Sequence, residues 1–247
     1  MYSIGIDIGS TSAKSAVLED GKLAYANVIP TGYNSVDAAC RLKDEIESAG
    51  YALENAQSVI ATGYGRISVP FAQKTVTEIT CHGKGAAFLF DGDMTVIDIG
   101  GQDTKAVQIK NGRVDKFLMN DKCSAGTGKF LEIMANRLGV TLHDLMEMAR
   151  KGEVTPISSM CTVFAESEVI SLIGKGTPRE NIARGVVDSV VTKVVSLVNR
   201  VGGTNFSLTG GLCEEQVMVD ALARALNATV VTCKEARFAG AIGAALC

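Results

Sequence analysis

Two segments of the chain, about ninety residues apart, carry the same pattern and constrain the fold more than any other feature. In each, an apolar run typical of a β-strand ends in Asp-Ile-Gly, at Asp7 and at Asp98, and small and polar residues turn the chain into a second strand. In the second segment Asn111-Gly112, a strong hairpin turn, leads into a third strand. A unit repeated at this spacing predicts an internal duplication at the scale of a domain.

The turn after each Asp-Ile-Gly has the composition of a phosphate-binding loop. A tight turn of small residues exposes backbone N–H groups, and Ser and Thr hydroxyls add donors for phosphate oxygens. The residues expected to contact phosphate are Gly9, Ser10, Thr11 and Ser12 in the first loop, with Lys14 as a point charge, and Gly100, Gly101 and Gln102 in the second. One such loop is more often an ordinary hairpin turn, but two at equivalent positions can clamp one polyphosphate from both sides.

Three further features fit the same chemistry. Phosphate would repel Asp7, but at a strand end this residue could hold a hydrated Mg²⁺ ion, which needs few carboxylates. Glu78 and His82 precede a helix that is predicted over residues 85–90. We expect His82 to have a structural role as a hydrogen-bonding residue, which is the default for a lone histidine. A glycine pair after a strand lets the backbone approach a ligand closely, and such a turn is formed by Thr209, Gly210 and Gly211.

Cys123 and Cys161 differ from the other cysteines because each lies in a turn rich in glycine or serine and precedes a helical pattern. We expect a helix to begin at or just after each of them. The unpaired N–H groups and partial positive charge of a helix N-terminus favour an anion. The remaining cysteines occur in helix or strand contexts and are expected to be small buried side chains: Cys40, Cys81, Cys213, Cys233 and Cys247.

Composition excludes several classes of protein. The net charge of −3 over 247 residues argues against a broad nucleic-acid or anionic-membrane surface, and no run of ~18 apolar residues is present to span a bilayer. The N-terminus lacks the basic and apolar regions of a signal peptide. Seven cysteines without a Cys-x-x-Cys pair argue against a disulfide framework or a zinc ribbon. We therefore expect a cytoplasmic α/β protein that binds neither nucleic acid nor membrane.

The order of these motifs resembles that of the actin, Hsp70 and sugar-kinase ATPase superfamily. The motifs are Asp7-x-Gly-x-Thr, Glu78 before a helix, Asp98-x-Gly-Gly, the 209–211 turn and a terminal helix rich in Ala and Gly. The resemblance implies an α/β fold in which two RNase H-like lobes close on a nucleotide. It assigns residues 1–91 to the first lobe, with the terminal helix at 234–247 packing back between the lobes, and residues 92–233 to the second lobe, which carries the turn cysteines.

The same resemblance implies roles for the site residues. ATP or ADP with Mg²⁺ would be the ligand, with the two loops on its phosphates and the 209–211 turn beside the adenosine. Lys14 falls where actin places a phosphate-contacting lysine. The catalytic acids would be Asp7, Asp98 and Glu78, with the last of these positioning the attacking water as an acid of Hsp70 does.

The two turn cysteines narrow the resemblance further. The stretches that carry it are residues 77–82, 120–128 and 160–168, and they are closely similar to the activators of 2-hydroxyacyl-CoA dehydratases. This family also includes the ATPase subunits of benzoyl-CoA reductases. It implies a homodimer with one bridging [4Fe–4S] cluster, bound by Cys123 and Cys161 of each chain. Such a cluster takes four thiolates, and a twofold dimer of a chain with two suitable cysteines supplies them.

In that family, ATP drives one electron from the cluster to the dehydratase or to a related acyl-CoA reductase, with ferredoxin or flavodoxin as the expected reductant. Two other interpretations stay open. A small-molecule kinase of the same superfamily would use the same loops, although 247 residues is short for a kinase and the turn cysteines would be unexplained. An actin-like regulatory ATPase would bind ATP without iron. In both cases Cys123 and Cys161 would be ordinary thiols buried in turns.

Overall fold

Two five-stranded sheets form the framework of the protein. The computed structural model describes residues 1–157 and 161–247. Part of the turn predicted before Cys161, namely Ser158, Ser159 and Met160, lies outside the described residues. The first sheet contains β1 (Tyr2–Ile8), β2 (Ser12–Glu19), β3 (Lys22–Pro30), β4 (Ser58–Thr62) and β5 (Lys74–Thr75), in the order β3-β2-β1-β4-β5. The second contains β6 (Met94–Ile99), β7 (Thr104–Lys110), β8 (Arg113–Asn120), β9 (Phe206–Gly210) and β10 (Val230–Val231), in the order β10-β9-β6-β7-β8.

The order of strands is the same in the two sheets. The second sheet, read from its other edge, has the order β8-β7-β6-β9-β10. Each of its strands therefore occupies the place of the equivalent strand in β3-β2-β1-β4-β5. In the first sheet β1 pairs antiparallel with β2 and parallel with β4, and β9 and β10 of the second sheet also pair in parallel. The repeated Asp-Ile-Gly hairpins therefore begin two copies of one topology, as the duplication predicts. The predicted α/β fold class is confirmed.

The helices connect and cover these strands. They are α1 (Ser35–Ser48), α2 (Glu78–Leu89), α3 (Gly128–Leu138), α4 (Leu142–Lys151), α5 (Thr162–Gly174), α6 (Arg179–Val201), α7 (Gln216–Leu226) and α8 (Ala239–Ala245). Among the described residues, no helix is both long enough and apolar enough to cross a bilayer.

The chain divides into two compact units. The first unit comprises Met1–Val96, Val107–Phe117 and Cys233–Cys247, and the second comprises Ile97–Ala106 and Leu118–Thr232. The predicted lobes, residues 1–91 with 234–247 and residues 92–233, stay a prediction.

The core of the first unit lies on both faces of its sheet. On one face the isoleucines of β1 pack with Leu42 and Ile46 of α1, because alternate residues of a strand share a face. On the other face Ala16 and Leu18 of β2 pack with Ile242 of α8. These apolar layers fix the end of β1, where Asp7 lies.

Helix α8 approaches its neighbours closely because glycines remove side chains from the contacts. A β-carbon on Gly5 of β1 would overlap the Ala241 carbonyl, and one on Gly85 of α2 would overlap the Ala239 carbonyl. Conversely, a β-carbon on Gly243 of α8 would overlap the carbonyl of Cys81. The close packing predicted for the terminal Ala/Gly-rich helix is present, against β1 and α2.

The second unit is built around its longest helix, α6. This helix packs against α3, α4 and α7, and its buried face consists largely of valine, including Val186, Val190 and Val194. Leu131 and Met134 of α3 are fully buried. The packing gives α3, the helix after Cys123, a fixed position within the unit.

The predicted start of α2 was wrong. This helix begins at Glu78 rather than at residue 85, and the strand before it is limited to β5. Glycines inside a helical pattern normally argue against a helix. Here Gly83 and Gly85 lie in the interior of α2, because the absence of a side chain lets Val114 pack against Gly83 and the Ala239 backbone pack against Gly85. Glu78 is consequently a first-turn residue, where a carboxylate favours the helix dipole.

Candidate functional site

The two predicted phosphate loops share one backbone geometry. The N–H of Gly9 donates to the carbonyl of Ser12 at 3.1 Å, and the N–H of Gly100 donates to the carbonyl of Asp103 at 2.9 Å. A β-carbon on Gly9 would lie 2.9 Å from the Ser12 oxygen, so the closed turn requires glycine there. Within the described residues, no hydrogen bond is formed by the backbone amides of Ser10, Thr11, Gly101 and Gln102. These amides are donors that an anion could use.

In the first unit, Asp7 lies in a space left by two glycines. The carboxylate is buried at the end of β1. A β-carbon on Gly63 would overlap Oδ1, and one on Gly240 would lie 2.5 Å from Oδ2. Sequence reasoning missed both glycines, because they lie far from Asp7 along the chain and only the folded structure places them beside it.

Glu78 and His82 occupy the first two turns of α2 in the same unit. Glu78 is half-buried, and Nδ1 of the buried His82 lies 3.2 Å from the Glu78 carbonyl oxygen. The contact agrees with the structural role expected for His82. Its Cε1 would also lie 3.0 Å from a β-carbon on Gly240, so Asp7 and His82 adjoin the same residue of α8.

Each repeat carries a lysine seven residues after its aspartate, and the two lysines differ in environment. Lys14 lies opposite Asp7 in the β1–β2 register, is half-buried and forms no ion pair among the described residues. Lys105 is buried, with Nζ 3.3 Å from Asp98 Oδ2 and 2.8 Å from Asp103 Oδ1. Sequence reasoning assigned a role to Lys14 and none to Lys105, although the shared spacing was the available signal.

The structure brings Asp98 together with part of the predicted 209–211 turn. The Thr209 hydroxyl donates to Asp98 Oδ1 at 2.9 Å. Gly210 has a φ of +85°, and a β-carbon there would lie 2.6 Å from the Ile99 carbonyl oxygen. Gly211 is exposed with open space around it. Both carboxylate oxygens of Asp98 therefore have partners, while contact of the turn with adenosine stays a prediction.

The backbone around Cys123 is held in place by its carbonyl groups. Asn120 Nδ2 donates to the carbonyls of Cys123 at 2.9 Å and Ala125 at 3.0 Å. The Thr127 hydroxyl donates to the Ser124 carbonyl at 2.7 Å, and the buried Thr104 hydroxyl donates to the Gly126 carbonyl at 2.6 Å. We call residues 123–127 the Cys123 turn. It is an ordered platform that presents an exposed cysteine.

Cys161 lies in the second unit, as Cys123 does. It is the N-cap residue of α5, and its carbonyl accepts a hydrogen bond from the N–H of Ala165 at 2.9 Å. A hydrogen bond of 2.8 Å joins the hydroxyls of Ser124 and Thr162, the residues that directly follow the two cysteines. The structure thus brings into contact two residues that each directly follow a cysteine, although they are 38 residues apart in sequence.

The helix after Cys123 begins later than predicted. Helix α3 starts at Gly128, after Gly126 with φ of +89° and an extended Thr127, and both conformations are incompatible with a helix. The N–H groups of Gly128 and Lys129 donate to the carbonyls of Gly100 at 2.9 Å and Gly101 at 2.8 Å. The expectation that this helix presents unpaired amides beside Cys123 was wrong, because those amides are bound to the second phosphate loop. For Cys161, the predicted helix start is correct.

Residues 4–247 match the sequence pattern of the BadF/BadG/BcrA/BcrD ATPase family. The chain belongs to this family. A relative, the (R)-2-hydroxyglutaryl-CoA dehydratase activating ATPase from Acidaminococcus fermentans, is 43% identical to this chain over 250 residues. The alignment covers 100% of this chain and 96% of the relative. The predicted membership is confirmed, and the ATPase family implies ATP or ADP with Mg²⁺ as ligands.

Solved structures agree with this assignment. The A. fermentans (R)-2-hydroxyglutaryl-CoA dehydratase component A matches with a TM-score of 0.95 and 42% identity over 100% of this chain and 96% of that one. The activator of the 2-hydroxyisocaproyl-CoA dehydratase from Clostridium difficile with bound ADPNP matches with a TM-score of 0.93 and 39% identity, over 100% and 93% of the chains. A ROK family glucokinase from Streptomyces griseus, 13% identical with a TM-score of 0.61 over 99% and 98%, shares the fold alone.

In this member of the BadF/BadG/BcrA/BcrD ATPase family, the other cysteines vary in exposure. Cys81 and Cys213 are buried as predicted, and Cys233 and Cys247 are half-buried. Burial raises the pKa of the Cys81 thiol to about 12, which keeps it protonated near neutral pH. Cys40 is exposed on α1, so the expectation of a buried side chain was wrong there.

Proposed function

We propose that the protein is an ATP-dependent one-electron donor that activates a 2-hydroxyacyl-CoA dehydratase or a related acyl-CoA reductase. The electron would leave from a [4Fe–4S] cluster held between two copies of the chain. The observation that carries the proposal is the hydrogen bond between Ser124 and Thr162, the residues that directly follow Cys123 and Cys161. Relatives named as dehydratase activators, and one named as a component of benzoyl-CoA reductase from Thauera aromatica, support the class of partner.

The donor set fits half of a cluster site. A [4Fe–4S] cluster takes four thiolates, and one chain offers two neighbouring cysteines, of which Cys123 is exposed and Cys161 half-buried. A twofold dimer would bring a second pair to the same point. The cluster would supply a one-electron couple, recharged by a ferredoxin or flavodoxin in the cytoplasm.

Apolar side chains beside Cys161 support burial of this surface by a second copy. Val163 and Phe164, in the first turn of α5, are 65% and 70% exposed, and Ile170 and Ile173 are also exposed further along the helix. Contiguous exposed apolar surface marks an interaction site. Because the cysteine pair beside it is incomplete in one chain, a homodimer accounts for both features.

The nucleotide would be held by the two loops. The amides of Ser10, Thr11, Gly101 and Gln102, which have no partner within the described residues, would donate to phosphate oxygens, with the Ser12 hydroxyl and Lys14 nearby. Asp7, in its glycine-lined space, would hold Mg²⁺ through water. Glu78 would position the attacking water. Asp98 would act by holding the second loop, since Lys105 and Thr209 already engage its oxygens.

The experiment that tests this function is anaerobic purification followed by iron, sulfide and visible-spectrum measurements. We expect about four irons per two chains, with a charge-transfer band that bleaches in air. Cys123→Ser and Cys161→Ser should each abolish iron binding and preserve nucleotide binding. Cys40→Ser, which removes an exposed thiol on α1, is the matched control and should keep the iron. An iron-free protein that still hydrolyses ATP after anaerobic reconstitution would refute the proposal and favour a kinase or an actin-like ATPase.

A further inference from the structure

The peptide units of the second phosphate loop face two ways. The carbonyls of Gly100 and Gly101 accept hydrogen bonds from the first amides of α3. A peptide bond is planar and trans, so each carbonyl moves rigidly with the N–H of the following residue and points away from it. Those N–H groups belong to Gly101 and Gln102, the amides proposed to bind phosphate. A phosphate that reorients either amide must therefore shift the carbonyl that holds α3.

Thr104 connects the end of the second phosphate loop to the Cys123 turn, which directly precedes α3. It directly follows Asp103, begins β7 and is buried. Its hydroxyl donates at 2.6 Å to the carbonyl of Gly126, in the middle of the Cys123 turn. Gly126 has a φ of +89°, and a β-carbon there would lie 2.9 Å from Lys193 Cβ, so α6 packs closely against this residue. The residue at the end of the second loop is thus bonded directly to the Cys123 turn.

We propose that Thr104 is a positioning residue that transmits the nucleotide state of the second phosphate loop to Cys123. This inference rests on the proposed function and specifies how its two parts communicate. From the Cys123 turn, the Ser124–Thr162 hydrogen bond extends the same connection to the start of α5, beside Cys161. A ligand shifts such an equilibrium only when it contacts the two states differently. Here the differing contact is the phosphate bound by the loop amides.

The first phosphate loop supplies an internal comparison. There the carbonyl of Gly9 accepts a hydrogen bond of 2.8 Å from the hydroxyl of Thr31, which follows β3. Thr31 is buried as Thr104 is, but its bond closes the loop onto its own hairpin. Thr31→Val therefore removes a comparable hydroxyl-to-carbonyl bond without touching the Cys123 turn.

The test measures alkylation of individual cysteines in the full-length protein after its iron has been removed. Iodoacetamide is applied with MgADP or with Mg²⁺ and a non-hydrolysable ATP analogue, and mass spectrometry follows Cys123 with exposed Cys40 as the reference. We expect the Cys123 rate to differ about fivefold or more between nucleotides. Thr104→Val should abolish the difference at saturating nucleotide, whereas Thr104→Ser, which keeps the hydroxyl, and Thr31→Val should retain it.

Each contrary result has a definite meaning. A full nucleotide response in Thr104→Val would overturn the inference. So would a Thr104→Val protein that no longer binds nucleotide, because the hydroxyl would then support the loop itself. A wild-type protein that takes up the cluster and shows no response would also overturn it and leave the proposed function intact. A wild-type protein that responds but never accepts iron would refute the proposed function and leave the connection through Thr104 standing.

Discussion

The Lys105 ammonium nitrogen lies 3.3 Å from Asp98 Oδ2, and the two side chains are only 1% and 4% exposed. The same nitrogen lies 2.8 Å from Asp103 Oδ1, at the other end of the second phosphate loop. The lysine therefore joins the residue before the loop to the residue that closes it. Because the ion pair is buried, removal of one partner leaves the other charge uncompensated.

Lys105→Met should lower the free energy of unfolding by about 3–5 kcal/mol, the usual effect of breaking a buried ion pair. Urea denaturation measures this value. The matched control is Lys14→Met in the first repeat, where the lysine is half-buried and has no ion pair among the described residues. That variant should change stability by no more than about 0.5 kcal/mol and should weaken nucleotide binding instead. A Lys105→Met protein as stable as wild type would contradict the role given to the pair.

Gly126→Ala should destabilise the protein and reduce its iron content. The left-handed backbone costs a non-glycine residue roughly 1–2 kcal/mol, and the new β-carbon would press on Lys193 Cβ at 2.9 Å. Gly92→Ala is the control, since Gly92 has a similar φ of +81° and open space around it. The difference between the two variants in thermal unfolding and in iron per chain isolates the contact with Lys193. Equal effects would show that only the backbone conformation matters.

Gly240→Ala should reduce ATP hydrolysis by a factor on the order of ten to a hundred, the effect of displacing a catalytic group by about an ångström. The added β-carbon would lie 2.5 Å from Asp7 Oδ2 and 3.0 Å from His82 Cε1. Asp7→Ala should show a comparable loss, and both variants should keep near-normal iron because the cysteine pair lies in the second unit. Steady-state ATPase assays and iron analysis decide the matter. Loss of iron with intact hydrolysis would contradict the role of Asp7.

Stability should decrease with rising pH above about 9 in a manner that depends on Cys81. Its pKa is raised from an ordinary 9.0 to about 12, chiefly by burial, so the folded protein favours the neutral thiol more than the unfolded chain does. The resulting stabilisation is complete below pH 9 and is lost as the pH rises towards 12. Urea midpoints measured from pH 8 to 10.5 should fall more steeply for wild type than for Cys81→Ala. The exposed-thiol variant Cys40→Ala should follow wild type, and identical slopes for all three proteins would disprove the burial argument.

Local signals were sufficient to predict the duplicated framework. The alternation of apolar residues, the Asp-Ile-Gly strand ends and the Asn111-Gly112 turn are each read within a few residues, and together they predicted two similar hairpin units. The structure adds that the two sheets share their strand order. Side chains such as Asp7 were identified as candidates for the same reason, since their position at a strand end is a local property.

Contacts between distant residues could not be predicted in this way. The space that Asp7 occupies depends on Gly63 and Gly240. The sequence does not show which atoms lie where the β-carbon of a glycine would be. The start of α2 was misplaced for the same reason, since the sequence does not show which neighbours fill the space at Gly83 and Gly85. The start of α3 was misplaced because the amphipathic pattern fixes the helix axis but not its first turn, which is set by the left-handed Gly126 and by bonds to Gly100 and Gly101.

The two copies of the phosphate loop have diverged in what they restrain. In the first copy the Gly9 carbonyl is bound by the side chain of Thr31, so the loop is closed within its own hairpin. In the second copy the equivalent carbonyl, that of Gly100, is bound by the backbone of Gly128, at the start of a helix outside the hairpin. The first loop is thus braced by the residue that follows its own third strand, and the second is braced by a helix that belongs to another part of its unit.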